Sequence, residues 1–168
     1  ILVIEYLASL SDSPRPFNVT NLIPHWMNRL ENGWGSWVCT MTRETYGQVK
    51  QGVPVERLGG MSNAMAIRHA AAHAYFDTEN EVVDVARKSM FTHRNVDALG
   101  GGEFFAHVTH RVINKETPSN AIESVALEMG GFFQDKVDQA IAKVKEATDE
   151  SSALSQEKFA DDLAITSM

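Results

Sequence analysis

Thr78-Glu79-Asn80-Glu81-Val82-Val83-Asp84-Val85-Ala86-Arg87-Lys88-Ser89-Met90 carries the two signals that decide the fold class of this chain. Thr78 and Glu81 form a capping box, in which the Thr hydroxyl takes an orphan backbone N–H and the Glu reaches back to the cap. Val82, Val83, Val85, Ala86 and Met90 then supply the apolar face of a helix. Downstream, Thr92-His93-Arg94-Asn95 reads as a break, with Asn95 capping a helix that runs to about Asn114 through Gly100-Gly101-Gly102. Each glycine costs roughly 1 kcal/mol in an exposed helix, so a break or very close helix packing is expected there. Thr117-Pro118 starts another helix by the cap-then-Pro signature. Helices over 135–148 and 155–165 follow, joined by the polar run 149–152.

Working upstream, residues 62–76 form an Ala-rich helical stretch with Met65, Ile67, Ala71 and Tyr75 among its apolar positions. Gly59-Gly60 reads as a flexible joint before it. A helix over 42–51 stops at Gly52, with Pro54 beyond. Before it, Thr20 or Asn21 caps a helix carrying Leu22, Ile23, Trp26, Met27 and Leu30, in which Pro24 is tolerated as a first-turn residue. Asn32-Gly33 ends that helix and Gly33-Trp34-Gly35 is a turn. Residues 11–20 form a connection, and Ile1-Leu2-Val3-Ile4-Glu5-Tyr6-Leu7 reads as the middle of an apolar helix. No alternating strand pattern extends over five residues or more. The expectation is an all-α protein, with residues 1–168 a single helical domain and a fragment that lacks N- and C-terminal parts of the full fold.

With 168 residues, the chain is long enough for one domain with a real core. A net charge of −7 and a pI near 5.3 argue against a nucleic-acid partner, which needs a clustered basic surface. No apolar run approaches the ~20 residues that cross a bilayer, so no membrane partner is expected. The single cysteine, Cys39, excludes an internal disulfide and suits a reducing, cytoplasmic setting. One sequon, Asn18-Val19-Thr20, occurs without secretory context.

The histidines lead the search for chemistry: His25, His69, His73, His93, His107 and His110. His69 and His73 stand four apart on one helix face, a spacing that can hold a metal. Ala70-Ala71-Ala72 lies between them, with no general base, and neither that pair nor His107/His110 has a cysteine or convergent carboxylate in the sequence nearby. Structural histidines are therefore favoured over a metal site. Asp161-Asp162 points its carboxylates about 100° apart on a helix and reads as solvated. Cys39, between Val38 and Thr40, reads as a buried thiol with no basic neighbour to activate it. Leu99-Gly100-Gly101-Gly102-Glu103 offers a phosphate cradle, but glycine-mediated helix packing is the favoured reading. Trp26, Trp34 and Trp37 read as core anchors rather than a groove.

Three stretches in fixed order resemble the ADP-ribosylglycohydrolase family. Gly59-Gly60-Met61-Ser62-Asn63-Ala64-Met65 is similar to its glycine turn at the mouth of an Ala-rich helix. Residues 81–89 are similar to its short acidic-start helix, and Phe91-Thr92-His93 to its Thr-His turn. Glu5-Tyr6-Leu7 and residues 59–73 look most like the J-type crystallin and selenoprotein J branch. The resemblance covers roughly residues 1–135 and implies a compact multi-helix orthogonal bundle. It also implies Mg²⁺ as cofactor, with a metal-bound water attacking the anomeric carbon of an ADP-ribose linkage. The acidic ligands would sit in Gly-Asp-Gln and Gly-Gly-Asp stretches outside these residues, so no metal ligand is expected within the chain. Ser62, Asn63 and Met65, with His93, are carried over as substrate-pocket residues; for Ser62 and Asn63 a helix cap is an equal reading. In active hydrolases an Arg follows the Ala-Met pair directly, whereas here Ala66 follows Met65 and Arg68 is expected on a different face.

Two readings follow from the resemblance. One is an ADP-ribosylglycohydrolase-like enzyme acting with Mg²⁺ on the N- or O-glycosidic linkage of a small-molecule or ADP-ribosylated substrate. The other is a catalytically silent, crystallin-like structural protein; self-association is compatible with either. A third role, docking through the Trp26–Trp37 region, ranks below both.

Overall fold

The computed structural model describes Leu7 and residues 17–32, 39–61 and 63–149; the side chains of 63–65 and 147–149 are not included. Among these residues the secondary structure is helical, with one isolated bridge between Gly59 and His93. The all-α expectation holds.

Helix α1 spans Val19–Glu31 and is capped by Asn18, whose Oδ1 accepts from Thr20 N at 2.8 Å. The cap thus lies upstream of Thr20 and Asn21, which were expected to provide it. Pro24 consequently falls inside the helix rather than in its first turn. The N–H it lacks would have met the carbonyl of Thr20, and Thr20 is exposed, so water can take that acceptor. Leu22 and Trp26, four apart, face the core. Helix α2, Thr40–Lys50, starts two residues earlier than its apolar pattern suggests, and Gly52 follows it at φ +79°. A 3₁₀ turn, Val55–Arg57, leads to buried Leu58.

The Ala-rich segment Asn63–Ala74 winds as a 3₁₀ helix, not the α-helix its periodicity suggests. A 3₁₀ helix eclipses side chains at i and i+3 and has poorer hydrogen bonds. The small side chains of Ala70, Ala71 and Ala72 tolerate that crowding. Helix α3, Glu79–Ser89, begins at the capping box, with both reciprocal Thr78–Glu81 bonds formed. Helix α4, Val96–Ile113, is capped by Asn95 Oδ1, which accepts from Asp97 N at 2.9 Å. Helix α5, Pro118–Met129, has Thr117 as cap and Pro118 in its first turn. Helix α6, Gly131–Asp149, begins four residues before the expected start at Asp135. Phe132 and Phe133, at its first turn, were not anticipated as helical. The expected helix over 155–165, the Gly33–Gly35 turn, Trp34, Trp37 and Asp161-Asp162 lie outside the described residues.

Helix α4 is central: it packs against the 3₁₀ helix, α3 and α5, while α6 closes onto α5. Its three glycines do not break it. A Cβ on Gly100 would lie 2.9 Å from Cζ of Phe133, so glycine lets α6 approach, and Gly101 and Gly102 are buried. Close packing is therefore the use of the glycine run, as favoured over a phosphate cradle. Phe133 stacks on Phe104 with centroids 5.5 Å apart, within a cluster completed by Val108, Ala121, Val125 and Val137. The larger cluster gathers Leu7, Phe17, Leu22, Trp26, Leu58, Val82 and Phe91. Phe91 is fully buried and meets the Trp26 ring edge-on at 5.3 Å. Phe91→Ala is expected to cost about 3–5 kcal/mol through the cavity it leaves, read as a lowered urea midpoint with unchanged m.

Candidate functional site

The turn Thr92-His93 sits between α3 and α4 and is fully buried. Its position follows from two local facts: α3 ends at Ser89 with Met90 as its cap, and the backbone then pairs with Leu58 and Gly59. Gly59 bridges His93, and Arg94 N donates to Leu58 O at 3.2 Å. The Gly59-Gly60 pair is thus part of a fixed contact, not a flexible joint. Gly60 lies so close that a Cβ there would overlap the Thr92 carbonyl and meet the His93 ring at 3.3 Å.

Arg68 reaches this turn from the 3₁₀ helix. Its Nη1 donates to Ser89 O at 2.9 Å and its Nη2 to Thr92 Oγ1 at 3.3 Å. Burial pushes its pKa down to about 10, opposed by the nearby Cys39 thiolate. Because Arg68 can only donate, the Thr92 hydroxyl accepts from it and turns its own proton toward His93 Nδ1, 2.8 Å away. That relay fixes His93 as a neutral imidazole with its proton on Nε2. Burial first, then Arg68, lower the His93 pKa to about 4. From the other side, the Thr45 hydroxyl donates to Met41 O at 2.8 Å and lies 3.3 Å from the Thr92 carbonyl.

Cys39 corrects an expectation. It is exposed, and its Sγ lies 3.0 Å from Thr42 Oγ1. Burial alone would raise its pKa, but the Thr42 hydroxyl and amide, with Arg68 and the Met41 amide, outweigh it and lower the thiol. The basic neighbour was invisible in sequence because it stands 29 positions away (68 − 39).

The remaining histidines form a second group. His69 Nδ1 and His73 Nε2 are 3.0 Å apart, and His73 stacks on His110 with centroids 6.0 Å apart. Burial and His73 lower the His69 pKa to about 4, against a smaller opposite pull from the Ala66 carbonyl; burial and His110 lower that of His73. His107, by contrast, meets a carboxylate that its sequence neighbours did not reveal: Glu79 Oε1 is 2.6 Å from Nδ1. Arg111 joins the same oxygen at 3.1 Å and also pairs with Glu128. Burial would raise the Glu79 pKa, but His107 and Arg111 hold it below the usual carboxylate range. Among the described residues no group of three or more His, Cys, Asp or Glu side chains is placed to hold a metal ion.

Of the pocket residues carried over from the family, Ser62 lies outside the described residues. Asn63 and Met65 open the 3₁₀ helix, and their side chains are likewise outside the description. His93 is the one whose surroundings are seen, and it is buried beneath Gly60. Arg68 was set aside in the sequence, yet it is the side chain that ties the 3₁₀ helix to the Thr92-His93 turn.

The profile of the ADP-ribosylglycohydrolase family matches residues 1–167. The chain belongs to that family. No curated protein and no solved structure gives a match. Within an ADP-ribosylglycohydrolase, Gly60 has a clear positional meaning: it sits between the bridge at Gly59 and the start of the segment that carries Asn63 and Met65. Gly60→Ala is expected to destabilise by about 1–3 kcal/mol, because the Thr92 backbone must yield to the new Cβ. Gly59→Ala, with open space around its Cβ, is expected to stay within about 0.5 kcal/mol of the parent. Urea unfolding of the two variants side by side checks the contrast.

Proposed function

We propose that this chain is part of a hydrolase that cleaves the N- or O-glycosidic bond joining ADP-ribose to an acceptor. The observation that carries the reading is the family match over residues 1–167, in a chain whose Gly59–His93 bridge joins two of the three resembling stretches. In the reaction water adds to the anomeric carbon and the glycosidic bond breaks. The acceptor leaves with a proton, giving free ADP-ribose. In this reading Ser62, Asn63 and Met65 line the substrate pocket together with His93, which the structure places against Gly60. A cytoplasmic setting and membership of the J-type crystallin and selenoprotein J branch belong to the same proposal, supported by the single thiol and by the stretch 59–73.

Mg²⁺ enters only through the family. The hard cation wants several oxygen ligands, and the described residues form no such group. No helix among the described residues is long and apolar enough to cross a membrane.

The test is release of ADP-ribose from ADP-ribosylated protein by the full-length protein, with Mg²⁺ and with chelator. Mg²⁺-dependent release is expected, and Asn63→Ala is expected to raise KM about tenfold or more as a sugar-phosphate contact is lost. No turnover at high protein concentration across N-, O- and S-linked substrates would leave the crystallin-like structural role in its place.

A further inference from the structure

We propose that the contact of His73 with His69 on one side and His110 on the other is an acid-sensitive latch, which holds the segment Asn63–Ala74 against α4 and releases it when the cluster takes up protons. The inference does not depend on the reaction assigned above.

The geometry carries it. At 3.0 Å, His69 Nδ1 and His73 Nε2 share one proton: one nitrogen donates it and the other accepts through its lone pair. One added proton can still be held in a charged N–H···N bond, but a second makes both rings imidazolium, so two N–H groups face each other, the hydrogen bond is lost and two cations meet. His110 of α4 stacks on the His73 ring with centroids 6.0 Å apart and disfavours positive charge on His73. Two of these rings belong to the 3₁₀ helix and one to α4, so repulsion among them acts across the packed interface between those elements.

The other charged groups around the cluster are already engaged. From α3, Glu79 is taken up by His107 and Arg111 of α4. Arg87 and Asp84 of α3 pair with Glu103 and Lys88. On the segment itself, Arg68 turns away to Ser89 and Thr92. From the 92–93 turn, His93 lies against Arg68. Among the described residues no carboxylate contributes to the electrostatics of His69 or His73. The Ala66 carbonyl favours protonation of His69 and is outweighed there by burial and His73. The segment is 3₁₀ throughout, with poorer hydrogen-bond geometry than the α-helices it packs against.

The sign follows. The folded-state pKa of His69, about 4, lies below the unfolded value of about 6.5, so the unfolded or released state binds protons more tightly. The stability held in the latch is fully present above about pH 6.5 and is lost as pH falls toward about 4.

Hydrogen–deuterium exchange of the intact protein, corrected for intrinsic rates, tests this at about pH 7.5 and about pH 5. Protection of 63–74 is expected to fall about tenfold or more at the lower pH, while α5 keeps its protection. His73→Gln and His110→Gln are each expected to shrink that change; His110 is half-exposed, so its variant carries the test should His73→Gln fail to fold. His107→Gln, whose ring pairs with Glu79, is expected to leave the change intact. Equal protection of 63–74 at both pH values overturns the proposal. So does parallel loss in α5, or a response in the His73 and His110 variants equal to the parent's, which would move the titration to His93.

Discussion

A guanidinium that is largely removed from water must give its protons to something. In this protein Arg68 gives them to a helix-terminal carbonyl, Ser89 O, and to the hydroxyl of Thr92. Neither acceptor is charged; burial lowers the Arg68 pKa, and the opposing pull of Cys39 does not make up for it. That arrangement dictates much around it. The Thr92 hydroxyl is left with one proton to donate, which makes His93 neutral. The Ser89 carbonyl must point out of the last turn of α3. The 3₁₀ helix is pinned at its sixth residue to an element more than twenty residues downstream (92 − 68 = 24). Loss of Arg68 would leave buried acceptors unmet at a cost of about 1–3 kcal/mol.

The same turn shows why glycine stands at position 60. Its carbonyl-facing surface is Thr92 itself, and the Gly59–His93 bridge brings the two backbones into contact. In the opposite half of the molecule Gly100 serves α4 and α6 in a similar way, but there the neighbour is the tip of Phe133, a side chain that can move. Backbone against backbone is the stricter constraint. It lies at the turn that the family resemblance also singles out.

Much of the fold was legible because it is written in local chemistry. Thr78, Asn95 and Thr117 each cap by hydrogen bonds two or three residues long, and the sequence displays such pairs side by side. The limits of legibility have the same origin. The Asn18 cap is hidden because reading Pro24 as a first-turn residue puts the helix start at Thr20 or Asn21. The first turn of α6 was missed because Gly130-Gly131 reads as a breaker, whereas the positive φ of both glycines simply turns the chain from α5 into α6. For the site, the family stretches pointed to the 59–65 and 91–93 segments, but not to what joins them. Arg68–Thr92, Arg68–Cys39 and Glu79–His107 are contacts between positions 24 to 29 apart. Nothing in the spacing of one helix can announce a partner on another.

Helix α4 makes that point in its last two turns. His107 and His110 are one turn apart on one helix and look equivalent in sequence, yet tertiary packing gives them opposite electrostatic partners. His107 faces Glu79, so positive charge on its ring is attracted, although Arg111 competes for the same oxygen. His110 faces His73, so positive charge on either ring is repelled. The difference comes from which element crosses α4 at each turn: the N-terminus of α3, rich in carboxylates at Glu79 and Glu81, or the C-terminal end of the 3₁₀ helix, where the basic residue is His73. An acidic helix start is favourable toward its own helix dipole, as a histidine at a helix end is only when protonated. Laid across one neighbouring helix, they set a carboxylate beside His107 and an imidazole beside His110.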